Sequence, residues 1–229
     1  MKLDTTVLYY SANVEDPIFE ENIRQKLLSN IGDVPLVSVT QIPLPNFGKN
    51  ICIGRHDSCY SNEFRQIQIG LKEIKTPYVL TAEADCLYPP EYFRFNPEEQ
   101  GKTYRYANVW VHYYLDPVKR NPKFYFKKFS DGAQALDREL WLKIITKALV
   151  GRKRWSSASD APHNSFAIPT DPNYQWSSEN PVITIKTTKG VSRYTQLDRS
   201  VLPQSALPYW GEARELRKNL FVPTITDVV

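Results

Sequence analysis

With 229 residues, 41% hydrophobic and 24% charged, the chain has the make-up of a globular protein of one or at most two domains. No stretch approaches the roughly 18 apolar residues of a membrane-spanning helix, and residues 1–6 lack the apolar core of a secretory signal, which points to the cytoplasm. Three cysteines (Cys52, Cys59, Cys86) without C-x-x-C spacing argue against a disulfide framework and a structural zinc site, and a net charge of +4 is too weak by itself to mark a nucleic-acid binder.

In chain order, residues 5–11 (TTVLYYS) are β-branched and aromatic and read as a buried strand. Asp16 and Pro17 suit a helix N-cap and first helical position. Phe19, Ile23, Leu27 and Leu28 recur at helical spacing, which predicts a helix over 17–30 closed by Gly32. PLVSVT at 35–40 is a second strand, so the chain opens with a βαβ unit and a parallel sheet. Prolines and glycines make 41–60 a loop; Phe64, Ile67, Leu71 and Ile74 then form one stripe of a helix over about 62–75, followed by an apolar strand at 78–81. Residues 104–115 read as one strand, with 123–129 as its hairpin partner. A helix capped by Asp137 is expected over 137–149, a long loop over 151–181, a strand over 182–187 and a short helix over 211–220, with no domain boundary.

The chemistry concentrates in Glu83-Ala84-Asp85, directly after the 78–81 strand. Ligands of open α/β sheets bind beyond the carboxyl ends of the strands. Two carboxylates two residues apart in extended chain point to one side, and a hard divalent ion such as Mn²⁺ or Mg²⁺ relieves their repulsion. Such an ion neutralises charge on a departing diphosphate. No G-x-x-x-x-G-K-[ST] or G-x-G-x-x-G is present, and His56, His112 and His163 share no ligand spacing. Two basic clusters interleaved with aromatics, Lys119, Arg120, Lys123, Lys127 and Lys128 around 124–129 and Arg152-Lys153-Arg154-Trp155, suit either a phosphate-gripping surface or a solvated face.

On the order of strand, helix, Gly/Asn loop, helix and strand running into E-A-D, the chain resembles the GT-A glycosyltransferases, family-2-like, especially small phage and bacterial members. The resemblance implies one α/β, Rossmann-like nucleotide-binding domain with a mixed central sheet, residues 1–95 holding the sugar nucleotide and 96–229 the acceptor. It places base and ribose against Tyr10, Ser11, Ala12 and Asn13, and matches Gly48-Lys49-Asn50 with Arg55 or Arg65 to the family's Gly/Asn/Arg segment. Glu83-Ala84-Asp85 takes the place of its D-x-D motif, making Asp85 the direct metal ligand and leaving Glu83 to ligate or to touch the ribose. Ser130-Asp131-Gly132-Ala133 resembles the small-residue turn of the acceptor region. Asp160 and then Glu179 are the candidate catalytic bases, needed only if configuration inverts. Where many relatives have a metal-proximal histidine, this chain has 186–190, KTTKG, with Lys189 as a contact for the diphosphate.

The expected function is sugar transfer from a nucleoside-diphosphate sugar, UDP first, to a hydroxyl. Hydroxymethylated pyrimidine in phage DNA is one acceptor, in a host cytoplasm, and a saccharide or protein is the competing one. Two other readings stay open: a sugar nucleotidyltransferase, whose Gly-rich Arg/Lys loop after the first strand is missing here, and a non-catalytic nucleic-acid-binding module built on the basic clusters.

Overall fold

Strand β1 (Thr5–Ser11) is buried along its whole length and alternates between two cores. Val7 and Tyr9 join one, Leu8 and Tyr10 the other, as expected of a central strand covered on both faces. The computed structural model describes residues 4–114, 122–157, 171, 174–187, 189–191 and 195–222. Helix α1 (Pro17–Asn30) follows, with the Asp16 side chain accepting from the Ile18 and Phe19 amides and Gly32 at φ 61° just beyond its end. Such a cap is worth about 1 kcal/mol. Then come β2 (Leu36–Thr40), β3 (Lys49–Cys52), α2 (Tyr60–Glu73), β4 (Tyr78–Glu83) and β5 (Cys86–Leu87). A single-turn 3₁₀ helix at Pro90–Arg94 leads to β6 (Thr103–Tyr106), β7 (Val109–Tyr113), β8 (Phe124–Lys128), β9 (Gln134–Asp137) and α3 (Arg138–Ala148). The chain closes with β10 (Gln175–Trp176), β11 (Val182–Lys186), the two-residue strands β12 (Ala206–Leu207) and β13 (Gly211–Glu212), and α4 (Ala213–Asn219).

The fold is mixed α/β around a seven-stranded mixed sheet of order β10-β6-β9-β4-β1-β2-β3. β3, β2, β1 and β4 run parallel, β9 runs antiparallel between β4 and β6, and β10 is parallel to β6. Helices α2 and α3 pack together on one face through Phe64, Ile67, Leu71, Trp141 and Ile145. The other face is covered by an aromatic layer including Tyr88, Tyr92, Phe93 and Tyr106. A second sheet of order β5-β11-β7-β8 packs with Phe19 and Ile23 of α1 and with the C-terminal segment.

Several expectations need correction. The segment 41–60 is not all loop: β3 adds to the sheet edge beside β2. α2 begins at Tyr60, where the Asn62 and Glu63 amides bond the Cys59 carbonyl, and ends at Glu73 because Ile74 is extended. The 104–115 run is two strands in different sheets. The Ala107 amide bonds the Trp176 carbonyl at 2.8 Å and the Val182 amide bonds the Asn108 carbonyl at 3.0 Å, so the chain crosses between sheets at this dipeptide. The β7–β8 pairing is antiparallel as expected, its connection at 115–121 lying outside the described residues. The expected small-residue turn before α3 leads into strand β9, and the expected loop 151–181 contributes β10.

Candidate functional site

The carboxyl ends of β1, β2 and β4 open into a cavity of about 390 Å³. Tyr10, Ser11 and Ala12 line it from β1 and its exit, Gln41 from the end of β2, and Asn62, Glu63 and Gln66 from α2. Opposite them stand Lys127 of β8, the 130–132 loop and Lys186 at the end of β11. The βαβ half of the fold and the second sheet therefore each supply a wall.

Glu83 is the last residue of β4, not the first beyond it, and Ala84 and Asp85 form the turn into β5. That turn, and not the alternation of extended chain, brings both carboxylates into the cavity, where Glu83, Asp85 and Cys86 ligand atoms lie within 4.8 Å of one another. Glu83 is held on three sides. The Tyr10 hydroxyl donates to its Oε1 at 2.8 Å, and its amide donates to the Tyr88 hydroxyl at 2.9 Å. Tyr88 in turn donates to the Gly132 carbonyl at 2.7 Å, and a Cβ on Gly132 would overlap the Glu83 carboxylate. Asp85 is tied to the second sheet through its carbonyl, which accepts from the Ile185 amide at 2.7 Å.

Charge in the cavity is unbalanced: among the described residues, seven acidic side chains line it against three basic ones. Burial and the neighbouring Asp85 raise the Glu83 carboxyl to about 7, against the Tyr10 hydrogen bond that lowers it. Burial, Glu83 and Asp85 push the Glu63 carboxyl well above the ordinary range. Burial opposes the charge on Lys186, but Asp85 and Glu83 outweigh it and hold that ammonium group above its usual range. Lys127 is pushed down by burial and by the like charge of Lys186, and it donates to Ser130 Oγ at 3.2 Å. Crowded carboxylates of this kind fit a hard divalent cation, for which Asp85 and Glu83 could supply oxygen ligands. Cys86 is a soft donor whose thiol burial and Asp85 keep protonated, so the carboxylates are the better ligands.

The expected site residues divide. Tyr10, Ser11, Ala12, Glu83, Ala84 and Asp85 line the cavity. Asn13 lies behind the wall: its Oδ1 accepts from the Gln41 and Ile42 amides, and its Nδ2 donates to Glu20 Oε2 at 2.8 Å. Arg55 donates to the Asn13 carbonyl at 2.9 Å, and Asn50 braces β2 through Ser38 and Thr40. Neither faces the cavity, and neither does Arg65, which bonds Gln68 at 2.9 Å. Lys189 and Glu179 are exposed and outside the lining, while Asp160 and His163 lie outside the described residues. His56 stacks on Trp155 with centroids 3.8 Å apart, and His112 is buried in β7. Of the basic clusters, Lys119 and Arg120 lie outside the described residues and Lys127 turns into the cavity. Sequence reasoning missed Glu63, Lys127 and Lys186 as wall residues.

No family model matches the chain, and no curated protein matches it in sequence. Among solved structures, the chain is similar to a glycosyltransferase involved in glycosylation of the major capsid of the virus PBCV-1, at 9% identity and TM-score 0.35, over 65% of this chain and 67% of that one. It is similar to the glycosyltransferase GlyE of Streptococcus pneumoniae TIGR4 at 8% identity and TM-score 0.38, over 67% and 41%. It is also similar to a mannosyltransferase of Pyrobaculum calidifontis, solved in complex with GDP-Man and Mn²⁺, at 13% identity and TM-score 0.41, over 82% and 58%. The chain thus spans about half the length of the last two. No helix among the described residues is long and apolar enough to cross a membrane.

Proposed function

We propose that the protein is a metal-dependent glycosyltransferase that moves a sugar from a nucleoside-diphosphate sugar to an acceptor hydroxyl. The observation that carries this reading is the Glu83–Asp85 carboxylate pair, fixed at the carboxyl edge of parallel strands inside a cavity of ligand size, about 390 Å³. Residues 1–95 supply the nucleotide side through Tyr10, Ser11 and Ala12, and residues 96–229 supply the acceptor side. Asp85 and Glu83 would hold an Mn²⁺ or Mg²⁺ ion, which when bound would neutralise charge on the diphosphate. Tyr10 and Tyr88 keep Glu83 in place.

In the transfer, the acceptor oxygen bonds to the anomeric carbon, the bond from that carbon to the diphosphate oxygen breaks, and its electron pair leaves with the diphosphate. In an inverting reaction the acceptor proton passes to Asp131. This carboxylate lines the acceptor side, with Arg105 at 3.7 Å, whereas Glu179 lies outside the cavity. Labelled UDP-, GDP-, CDP- and dTDP-sugars, offered with Mn²⁺ and either glycans or hydroxymethylated DNA, test the reading. Wild type transfers label to one acceptor class, and Asp131→Asn slows turnover by about 10²-fold or more while donor binding is kept. Absence of transfer from every donor to either acceptor class would reject the reading; transfer only to glycans would reject the DNA acceptor.

A further inference from the structure

We propose that Lys127 and Lys186 form an anion clamp that grips the diphosphate of the donor and keeps hold of it as the leaving group. This deepens the reading above and rests on it for the identity of the anion. Lys186 ends β11 and Lys127 belongs to β8, strands separated by β7 in the second sheet, yet both side chains line the cavity beside Glu83.

The backbone is distorted where Lys127 enters. Phe126 pairs with Trp110 and Lys128 with Val109, so Lys127 is an extra residue bulged out of the β7–β8 ladder, and Lys128 takes the left-handed conformation at φ 72°. A bulge re-aims the side chain it carries, and left-handed backbone is strained at a non-glycine residue. The distortion directs a charged side chain into a partly buried cavity, against its hydration. That ammonium group donates to Ser130 Oγ at 3.2 Å. Lys186 lines the same cavity, its strand anchored to the Glu83–Asp85 turn by the Ile185–Asp85 backbone bond of 2.7 Å.

Two ammonium groups of like charge lining the same cavity as the carboxylate pair suit a polyvalent anion. A nucleoside diphosphate fits that requirement: its phosphate oxygens would meet the point charges of both lysines, with a cation held by the carboxylates supplying further charge neutralisation. The clamp also supplies the positive charge that Lys189, exposed and outside the lining, does not bring to the cavity.

The test measures melting shifts of full-length wild type, Lys127→Met, Lys186→Met and the double variant. The probes are inorganic pyrophosphate, the four nucleoside diphosphates and the matching nucleosides, each with and without Mn²⁺. Each single variant should weaken pyrophosphate and nucleoside diphosphate at least about tenfold, the double variant more, with nucleoside binding unchanged. Lys127→Arg and Lys186→Arg should keep most of the affinity and guard against a folding defect in the methionine variants. Equal diphosphate binding by the double variant and wild type would overturn the clamp, as would no pyrophosphate shift in wild type at millimolar concentration. Pyrophosphate binding that depends on the lysines, with no nucleotide binding and no sugar transfer, would uphold the anion site and reject the glycosyltransferase reading.

Discussion

The Glu83 carboxylate lies directly against Gly132, so a Cβ at that glycine would overlap it. The contact couples the 130–132 loop to the E-A-D turn, and the Tyr88 hydroxyl couples them again through the Glu83 amide and the Gly132 carbonyl. Gly132→Ala is therefore expected to displace the Glu83 side chain while the fold survives. Overpacking of this kind costs about 1–3 kcal/mol. Denaturant unfolding should show that loss, and the Mn²⁺-dependent part of nucleotide stabilisation should fall with it. Wild-type metal response in Gly132→Ala would show that Glu83 does not need this position.

Lys128 at φ 72° gives a prediction on stability alone. Glycine adopts this backbone freely, at about 0.5–1 kcal/mol of extra unfolded-state entropy, while a β-branched residue is strained there. Lys128→Gly should leave the unfolding free energy unchanged or raise it by up to about 1 kcal/mol, and Lys128→Val should lower it. Equal losses in both variants would mean that the bulge is not the origin of the strain.

His112 carries a pH dependence unrelated to the cavity. The ring is fully buried in β7, its Nδ1 donates to the Lys123 carbonyl at 3.2 Å, and Nε2 has no partner among the described residues. Burial holds it below the ordinary value of 6.5, against the Lys123 carbonyl that raises it. The folded state thus prefers the neutral ring. Its contribution to stability is complete above about pH 6.5 and is lost as the pH falls from there towards the depressed folded value. Stability curves for wild type and His112→Gln from pH 8 to 5 isolate this effect, because the buried carboxyls, raised in the fold, act in the opposite direction in both proteins. Wild type should lose stability relative to the variant below pH 6.5, and parallel curves would refute the assignment.

Elements that advertise themselves locally were legible in the sequence. The apolar run of β1, the Asp16-Pro17 start of α1 and the helical stripe of α2 each satisfy their own backbone and one apolar face. β3 was hidden because it is an edge strand of four partly exposed residues between prolines and glycines. β9, QALD, has no β-branched residue and becomes a strand only by pairing with β4 and β6 on either side. The break at Ala107-Asn108 depends on partners about 70 residues away, such as Trp176 and Ser178. The site followed the same division. Tyr10 and the E-A-D turn were visible because they end strands of the parallel unit. Glu63, Lys127 and Lys186 reach the cavity from α2, β8 and β11, and no local pattern marks which charged residue of a helix or strand turns inward.

The most direct test of the metal-assisted diphosphate site is the thermal shift of wild type and Asp85→Asn with UDP, GDP, CDP or dTDP, with and without Mn²⁺. At a hundredfold excess over Kd a ligand adds about 2.7 kcal/mol, roughly 5–10 °C for a domain of this size. Wild type should show a shift of that order with at least one nucleotide when Mn²⁺ is present and a smaller one without it, and Asp85→Asn should lose the Mn²⁺-dependent part. A wild-type curve that no nucleotide moves, or an Asp85→Asn curve that moves as far as wild type, would contradict the account.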